Sequence, residues 1–188
     1  MSASLTGLYV ILDAGRSRRP LVDVLREAAA AGARLFQYRA KRLSGADAYR
    51  EACQLRGLAR DAGALFVVND RCDLALAVEA DGVHLGQEDL PLAQARRLLG
   101  PSRIIGISTH NLDQVTAATA GGATYLGFGP VYPTASKENP EPVVGIEGLR
   151  SARQLTTVPV FAIGGMTADR LDEVRAAGAD GVAVIAAI

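Results

Sequence analysis

The stretch Gly127 to Lys137, Gly-Phe-Gly-Pro-Val-Tyr-Pro-Thr-Ala-Ser-Lys, sets two hydroxyls and a cation almost side by side: Thr134, Ser136 and Lys137, with Ala135 between the hydroxyls. Its glycines and prolines exclude a regular helix, because glycine is entropically costly there and proline breaks the hydrogen-bond ladder. Hydroxyls and an ammonium on such a loop can all donate to phosphate oxygens. A solvated surface loop would have the same composition. A second set, Gln37, Arg39 and Lys41, recurs at i, i+2, i+4 along an otherwise apolar run. That spacing turns the three side chains to one side of a strand. A guanidinium there is costly unless it is paired or bound to an anion, while Lys41 reads equally well as a solvated loop cation. Two carboxylates, Asp70 after Asn69 and Asp89 two residues before Pro91, complete the charged inventory. Each fits a helix cap. Together, with no His or Cys cluster beside them, they suit Mg²⁺, a hard ion that prefers oxygen ligands and keeps substrate phosphates among them.

The elements that must position these groups are legible from repetition. Ala31-Gly32-Ala33, Ala62-Gly63-Ala64, Gly121-Gly122-Ala123 and Ala177-Gly178-Ala179 each close a helix-like segment and precede an apolar, β-rich run. Glycine just past a helix end takes the left-handed conformation cheaply, and a strand then starts. Eight strands are expected, at 8–12, 34–39, 65–69, 82–85, 103–108, 124–127, 158–163 and 181–185. Seven helices are expected between them, near 21–31, 45–62, 72–79, 92–99, 112–120, 146–155 and 168–177. Alternation of this kind predicts one α/β domain over residues 1–188, a (β/α)8 TIM barrel of eight parallel strands without the last helix. A doubly wound sheet is the alternative, but no Gly-x-Gly-x-x-Gly or Walker sequence follows the first strand.

Barrel active sites lie at the C-terminal strand ends. That rim would collect Gln37, Arg39 and Lys41 from the second strand and Asn69 and Asp70 from the third. Asp89 would come from the loop after the fourth strand, and Ser108 from the end of the fifth. Gly164-Gly165 after the seventh strand permits a phosphate to approach backbone N–H groups, or makes a tight turn. The eighth strand ends near Ile185 and Ala186. His84, flanked by apolar residues, reads as a structural histidine rather than a base. No Gly-x-Ser-x-Gly elbow accompanies Ser108.

Bulk composition excludes several classes. Lys plus Arg equals Asp plus Glu at 20 each, so no net field draws the chain to nucleic acid or a membrane surface. Cys53 and Cys72 are too few for a disulfide framework and lack C-x-x-C spacing. No run approaches the roughly 20 apolar residues that span a bilayer. The expectation is a soluble, cytoplasmic protein.

Five motifs, in order and in place, carry a resemblance. Gln37-Tyr38-Arg39-Ala40-Lys41, Asn69-Asp70, His84-Leu85-Gly86-Gln87-Glu88-Asp89, Gly127 through Lys137, and Ile163-Gly164-Gly165 resemble the thiamine-phosphate synthase family from the first strand to the last residue. That family is a transferase joining hydroxymethylpyrimidine diphosphate to hydroxyethylthiazole phosphate with release of pyrophosphate. The resemblance implies that Gln37, Tyr38, Arg39, Ala40, Lys41, Asn69, Ser108 and Lys137 meet the pyrimidine diphosphate, with Arg39, Lys137 and Ser108 serving catalysis. It implies Asp70 and Asp89 as ligands of Mg²⁺, and Thr134, Ala135, Ser136, Gly165, Ile185 and Ala186 around the thiazole phosphate. The two small molecules would be its partners.

A related thiazole tautomerase is the nearest alternative. That branch has histidine where this chain has Pro130 and departs from Gln-x-Arg-x-Lys. A barrel that binds thiamine precursors without turnover is the non-enzyme alternative. Two departures stand out: Ala186 replaces a serine common in the family, and the sequence stops at Ile188 where the family continues into a closing helix. The expectation is therefore either a continuing chain or a homo-oligomer whose partner subunit covers the outer side of the first and last strands.

Overall fold

A computed structural model describes residues 5–134 and 141–185. Its strands are β1 (Gly7–Asp13), β2 (Leu35–Arg39), β3 (Leu65–Asn69), β4 (Gly82–Leu85), β5 (Ile104–Thr109), β6 (Tyr125–Phe128), β7 (Val160–Ala162) and β8 (Gly181–Val184). They pair in sequence order, all in parallel, and β8 pairs back onto β1 to close the barrel. The helices are α1 (Leu21–Ala30), α2 (Gly45–Asp61), α3 (Cys72–Ala77), α4 (Leu92–Leu99), α5 (Leu112–Ala120), α6 (Gly145–Gln154) and α7 (Leu171–Ala176). Every expected element is present. None of the described helices is long and apolar enough to cross a membrane.

The helices form because each has one apolar stripe to hide. In α1 the buried residues are Leu21, Val24, Leu25, Ala28 and Ala29, a 3.6-residue repeat facing the barrel. In α2, Ser44 caps the first turn by accepting from the Asp47 amide at 3.1 Å. Gly32 and Gly63, past the ends of α1 and α2, hold φ of 103° and 64°, the left-handed turn that returns the chain to the next strand.

Strand alternation divides the interior in two. Outward side chains such as Val10, Leu12, Phe36, Phe66 and Val68 pack under the helices as the main core. Inward side chains form a smaller core within the barrel: Tyr9, Leu35, Val67, Tyr125, Phe161 and Ala183. Three rings fill its centre edge-to-face, with centroids 5.3 Å apart for Tyr9–Phe161, 5.5 Å for Tyr125–Phe161 and 5.7 Å for Tyr9–Tyr125. The neighbouring strands make room for them with glycine at the paired position: Gly106 beside Tyr125 and Gly181 beside Phe161. A Cβ on Gly106 would stand 2.1 Å from Tyr125 Cζ, and one on Gly181 would stand 2.5 Å from Phe161 Cε1. On the outer side of the closing seam, Leu8 is 38% exposed while Val182 and Val184 are buried.

Candidate active site

Tyr9 of this ring cluster lines a cavity of about 350 Å³ that opens at the C-terminal strand ends. Gln37 and Arg39 reach it from β2, Asn69 from β3, His84 from β4 and Ser108 from β5. Thr134, Gly165 and Ile185 line its other side. The expected i, i+2 side chains of β2 are therefore inward, and one rim gathers residues from both candidate anion-binding regions. Ala135, Ser136, Lys137 and Ala186 lie outside the described residues.

Two residues of the β2 motif, Tyr38 and Ala40, turn their side chains away from the cavity. Tyr38 and Ala40 alternate with Gln37 and Arg39 and so face the helices. Tyr38 lies in the outer core, stacks on Phe66 at 6.5 Å and donates from its hydroxyl to Glu51 of α2 at 2.7 Å. Burial and that acidic neighbour raise its pKa. Ala40 packs against the same outer core. Neither side chain reaches the cavity.

The cost of an arginine on an apolar strand is met by Asp13, the last residue of β1. Parallel register sets Asp13 beside Arg39, and the guanidinium donates to its carboxylate. Asp13 is 4% exposed, and its second oxygen accepts from the Gly15 amide at 2.9 Å. The Arg39 side chain retains 23% exposure, so the pair fixes the guanidinium and leaves part of it toward the cavity. The sequence reading ended the first strand at Leu12 and missed this acid. Its one local signal is a lone carboxylate closing an apolar run.

Asp70 and Asp89 meet at the edge of the rim. Neither caps a helix: α3 and α4 have no side-chain cap bond at their N-termini. Asp70 instead sits at φ 62°, an uncommon conformation for a non-glycine residue. Its carboxylate lies 2.8 Å from Lys41 Nζ. Burial, then hydrogen bonding with Asp89, lifts Asp70 above the usual carboxylate range, with Lys41 opposing. Asp89 accepts from the Gly86 amide at 2.6 Å, which shapes the turn after β4. No third His, Cys, Asp or Glu joins the two carboxylates among the described residues. Two adjoining carboxylates, an all-oxygen donor set with no nitrogen or sulfur ligand beside it among the described residues, fit Mg²⁺. Lys41, far from idle, holds one of them.

The loop after β6 is seated by the glycines after β7. The Val131 amide donates to the Ile163 carbonyl at 2.8 Å and Tyr132 to Gly164 at 3.2 Å. A Cβ on Gly164 would meet Pro130 Cβ at 2.5 Å, and one on Gly165 would meet the Pro133 carbonyl at 2.7 Å. These glycines therefore serve close backbone approach as well as lining the cavity. Tyr132 then donates to Glu173 at 2.6 Å beneath the Arg170 guanidinium, 4.2 Å from its ring, tying the loop to α7.

Beneath the ligand space, Tyr9, Tyr125 and His84 form a buried polar contact no local pattern announced. The tyrosine hydroxyls are 2.6 Å apart, and His84 lies 2.9 Å from Tyr125 Oη through Nδ1 and 2.9 Å from Ser108 Oγ through Nε2. Burial raises both tyrosine pKa values, so both hydroxyls keep their protons. His84 is structural as expected, yet it also lines the cavity.

The profile described as Thiamine monophosphate synthase matches residues 8–188. The chain is 47% identical over 182 residues to a thiamine-phosphate synthase of Chloroflexus aurantiacus, covering 96% of this chain and 84% of that one. It is 46% identical to one from Moorella thermoacetica, covering 96% and 87%. The solved thiamine phosphate pyrophosphorylase from Pyrococcus furiosus superposes with a TM-score of 0.88 at 43% identity, over 97% of this chain and 87% of that one. With its closed parallel barrel and its strand-end polar rim, this chain belongs to the thiamine monophosphate synthase family of transferases.

Proposed function

We propose that the cavity joins hydroxymethylpyrimidine diphosphate to hydroxyethylthiazole phosphate, giving thiamine phosphate and pyrophosphate. One observation carries the reading. A single cavity has Gln37, Arg39, Asn69 and Ser108 on one side and Thr134, Gly165 and Ile185 on the other, while the Asp70–Asp89 pair stands on the loops that follow β3 and β4. It thus offers two anion-binding ends facing each other across a space that can hold two small rings.

In this reading the C–O bond between the pyrimidine methylene and the diphosphate breaks, and pyrophosphate leaves with the electron pair. The aminopyrimidine stabilises the cationic methylene, and the thiazole nitrogen lone pair closes the new C–N bond. No proton transfer is required for balance, and no protein nucleophile is needed. Arg39, held by Asp13, and Lys137 stabilise charge gathering on the leaving group. Ser108, Gln37 and Asn69 orient the pyrimidine, while Thr134, Ser136 and backbone groups at Gly165, Ile185 and Ala186 hold the thiazole phosphate. Mg²⁺ on Asp70 and Asp89 would neutralise the diphosphate. Lys41 steadies Asp70 in place. Phosphorylated precursors do not cross bilayers unaided, so the reading puts the reaction in the cytoplasm.

The test is to incubate the protein with both precursors and Mg²⁺ and to follow thiamine phosphate and pyrophosphate together. Stoichiometric appearance of both is expected. Absence of thiamine phosphate under conditions where both precursors bind would overturn the proposal.

A further inference from the structure

A run of five polar side chains crosses the barrel from β2 to β5 along the floor of the cavity: Gln37, Tyr9, Tyr125, His84 and Ser108. Its direction follows from counting protons. Gln37 donates through its amide nitrogen to Tyr9 Oη. The Tyr9 hydroxyl is fully buried and has one proton, which must find an acceptor other than that amide N–H. Tyr125 Oη, 2.6 Å away, is that acceptor. The Tyr125 proton then goes to His84 Nδ1 at 2.9 Å. A ring nitrogen that accepts is unprotonated, so the neutral imidazole carries its proton on Nε2 and donates to Ser108 Oγ at 2.9 Å. Ser108 has thereby taken up an acceptor site on its oxygen. Its own proton remains for the cavity that it lines.

We infer that Gln37, Tyr9, Tyr125 and His84 act together as positioning residues that hold Ser108 as a hydrogen-bond donor toward the pyrimidine diphosphate. The identity of that ligand rests on the function proposed above, whereas the proton order rests on the barrel alone. If the Gln37 amide were turned over, every link would reverse and Ser108 would face the cavity as an acceptor. The relay therefore makes the character of a hydroxyl on one strand depend on an amide on another, across the full width of the barrel. The glycines belong to it. Gly106 leaves space for the Tyr125 ring, and a Cβ on Gly127 would come within 3.2 Å of His84 Cε1.

Nitrogen NMR of the histidine-labelled protein reads this order directly. The chain has two histidines. His110 Nδ1 faces the Gly129 carbonyl, which can only accept, so His110 carries a proton on Nδ1. The expected spectrum contains one neutral Nε2–H ring, His84, beside one ring protonated on Nδ1. A spectrum lacking a neutral Nε2–H ring overturns the relay, whatever the enzyme's activity. The second arm is Tyr125→Phe, which keeps the ring over Gly106 and removes one link. Loss of the pure Nε2–H pattern is expected, with kcat/KM for the pyrimidine diphosphate falling roughly tenfold to a hundredfold, the range for one hydrogen bond to a charged or strongly polar group. Ser108→Ala combined with Tyr125→Phe should fall no further than Ser108→Ala alone. An unchanged tautomer and unchanged kcat/KM in Tyr125→Phe, or losses that multiply in the double variant, refute the inference. If Tyr125→Phe does not fold, the parent spectrum decides. A chain that shows the expected tautomers but forms no thiamine phosphate removes the substrate assignment and retains the proton order.

Discussion

Replacing Asp13 with asparagine separates what the rim needs for stability from what it needs for chemistry. The substitution keeps an oxygen for the Gly15 amide, which lies 2.9 Å from Asp13 Oδ1. It also turns an amide toward a guanidinium that can only donate. The Asp13 side chain is 3% exposed and that of Arg39 23%, so the charge left behind is poorly but not wholly screened. Breaking a fully buried pair costs about 3–5 kcal/mol, and the residual exposure of Arg39 brings the expected loss to about 2–3 kcal/mol. At ~2–4 °C per kcal/mol for a chain of this size, Tm should fall by roughly 4–12 °C in thermal denaturation followed by circular dichroism. Turnover should fall at least tenfold, because the guanidinium is no longer held toward the leaving group. The companion variant is Asp13→Asn with Arg39→Met, which removes the stranded charge. It should recover most of the lost Tm and none of the lost turnover. A single variant within a degree of the parent and equally active, or a double variant that regains activity, would show that the pair does not position Arg39.

Three further outcomes are expected. Chelation, or Asp70→Ala, should abolish most turnover without lowering Tm, and Asp89→Ala should also lose about 1 kcal/mol because the Gly86 amide loses its acceptor; a rate indifferent to chelation would discard the metal assignment. Tyr38→Phe should leave turnover at the parental level and cost about 1 kcal/mol in denaturant unfolding, since its hydroxyl donates to Glu51 across the outer core; a large fall in kcat would put Tyr38 back in the site. Gly106→Ala should unfold readily, because its Cβ would sit 2.1 Å from Tyr125 Cζ in a ring cluster with no spare room. Overpacking of this kind costs about 1–3 kcal/mol or more, and an unchanged Tm would mean that the rings can shift.

What the sequence disclosed depended on the range of the interaction. The strands and helices announced themselves because glycine after each helix and apolar runs between them are local signals. Their ends drifted by a residue or two for equally local reasons. The seventh strand begins at Val160, after Pro159, instead of at 158, and the last helix opens with a 3₁₀ turn at Ala168–Arg170. Period-2 alternation brought Gln37 and Arg39 inward, and the same rule, applied to the whole motif, would have turned Tyr38 and Ala40 outward. The pairings that define the floor and rim were not legible. Asp13 with Arg39, Tyr9 with Gln37 and His84 with Tyr125 join residues far apart in the chain, the first two brought together by the pairing of β1 with β2 and the third by the curvature of the closed barrel. A carboxylate at a strand end and a tyrosine within an apolar strand look ordinary until the neighbouring strand is beside them.

The seam between β1 and β8 has a kinetic meaning. Gly7 pairs with Gly181 and Tyr9 with Ala183, so the last contacts of the barrel tie residues near opposite ends of the chain. Bringing such distant segments together carries a loop-closure entropy of roughly 4–5 kcal/mol if the intervening chain is still flexible, and far less once it is ordered. Folding should therefore run around the ring from strand to strand and close last where the ends meet. Until that moment the arc from β2 to β7 can already carry Gln37, Arg39, Asn69 and Ser108 in register. It lacks what closure brings: the Tyr9 hydroxyl set 2.6 Å from Tyr125 Oη across the barrel, and the Ile185 end of β8 beside the cavity. An arc of native secondary structure would thus precede a competent rim. During refolding, the gain of helical signal should run ahead of the return of activity.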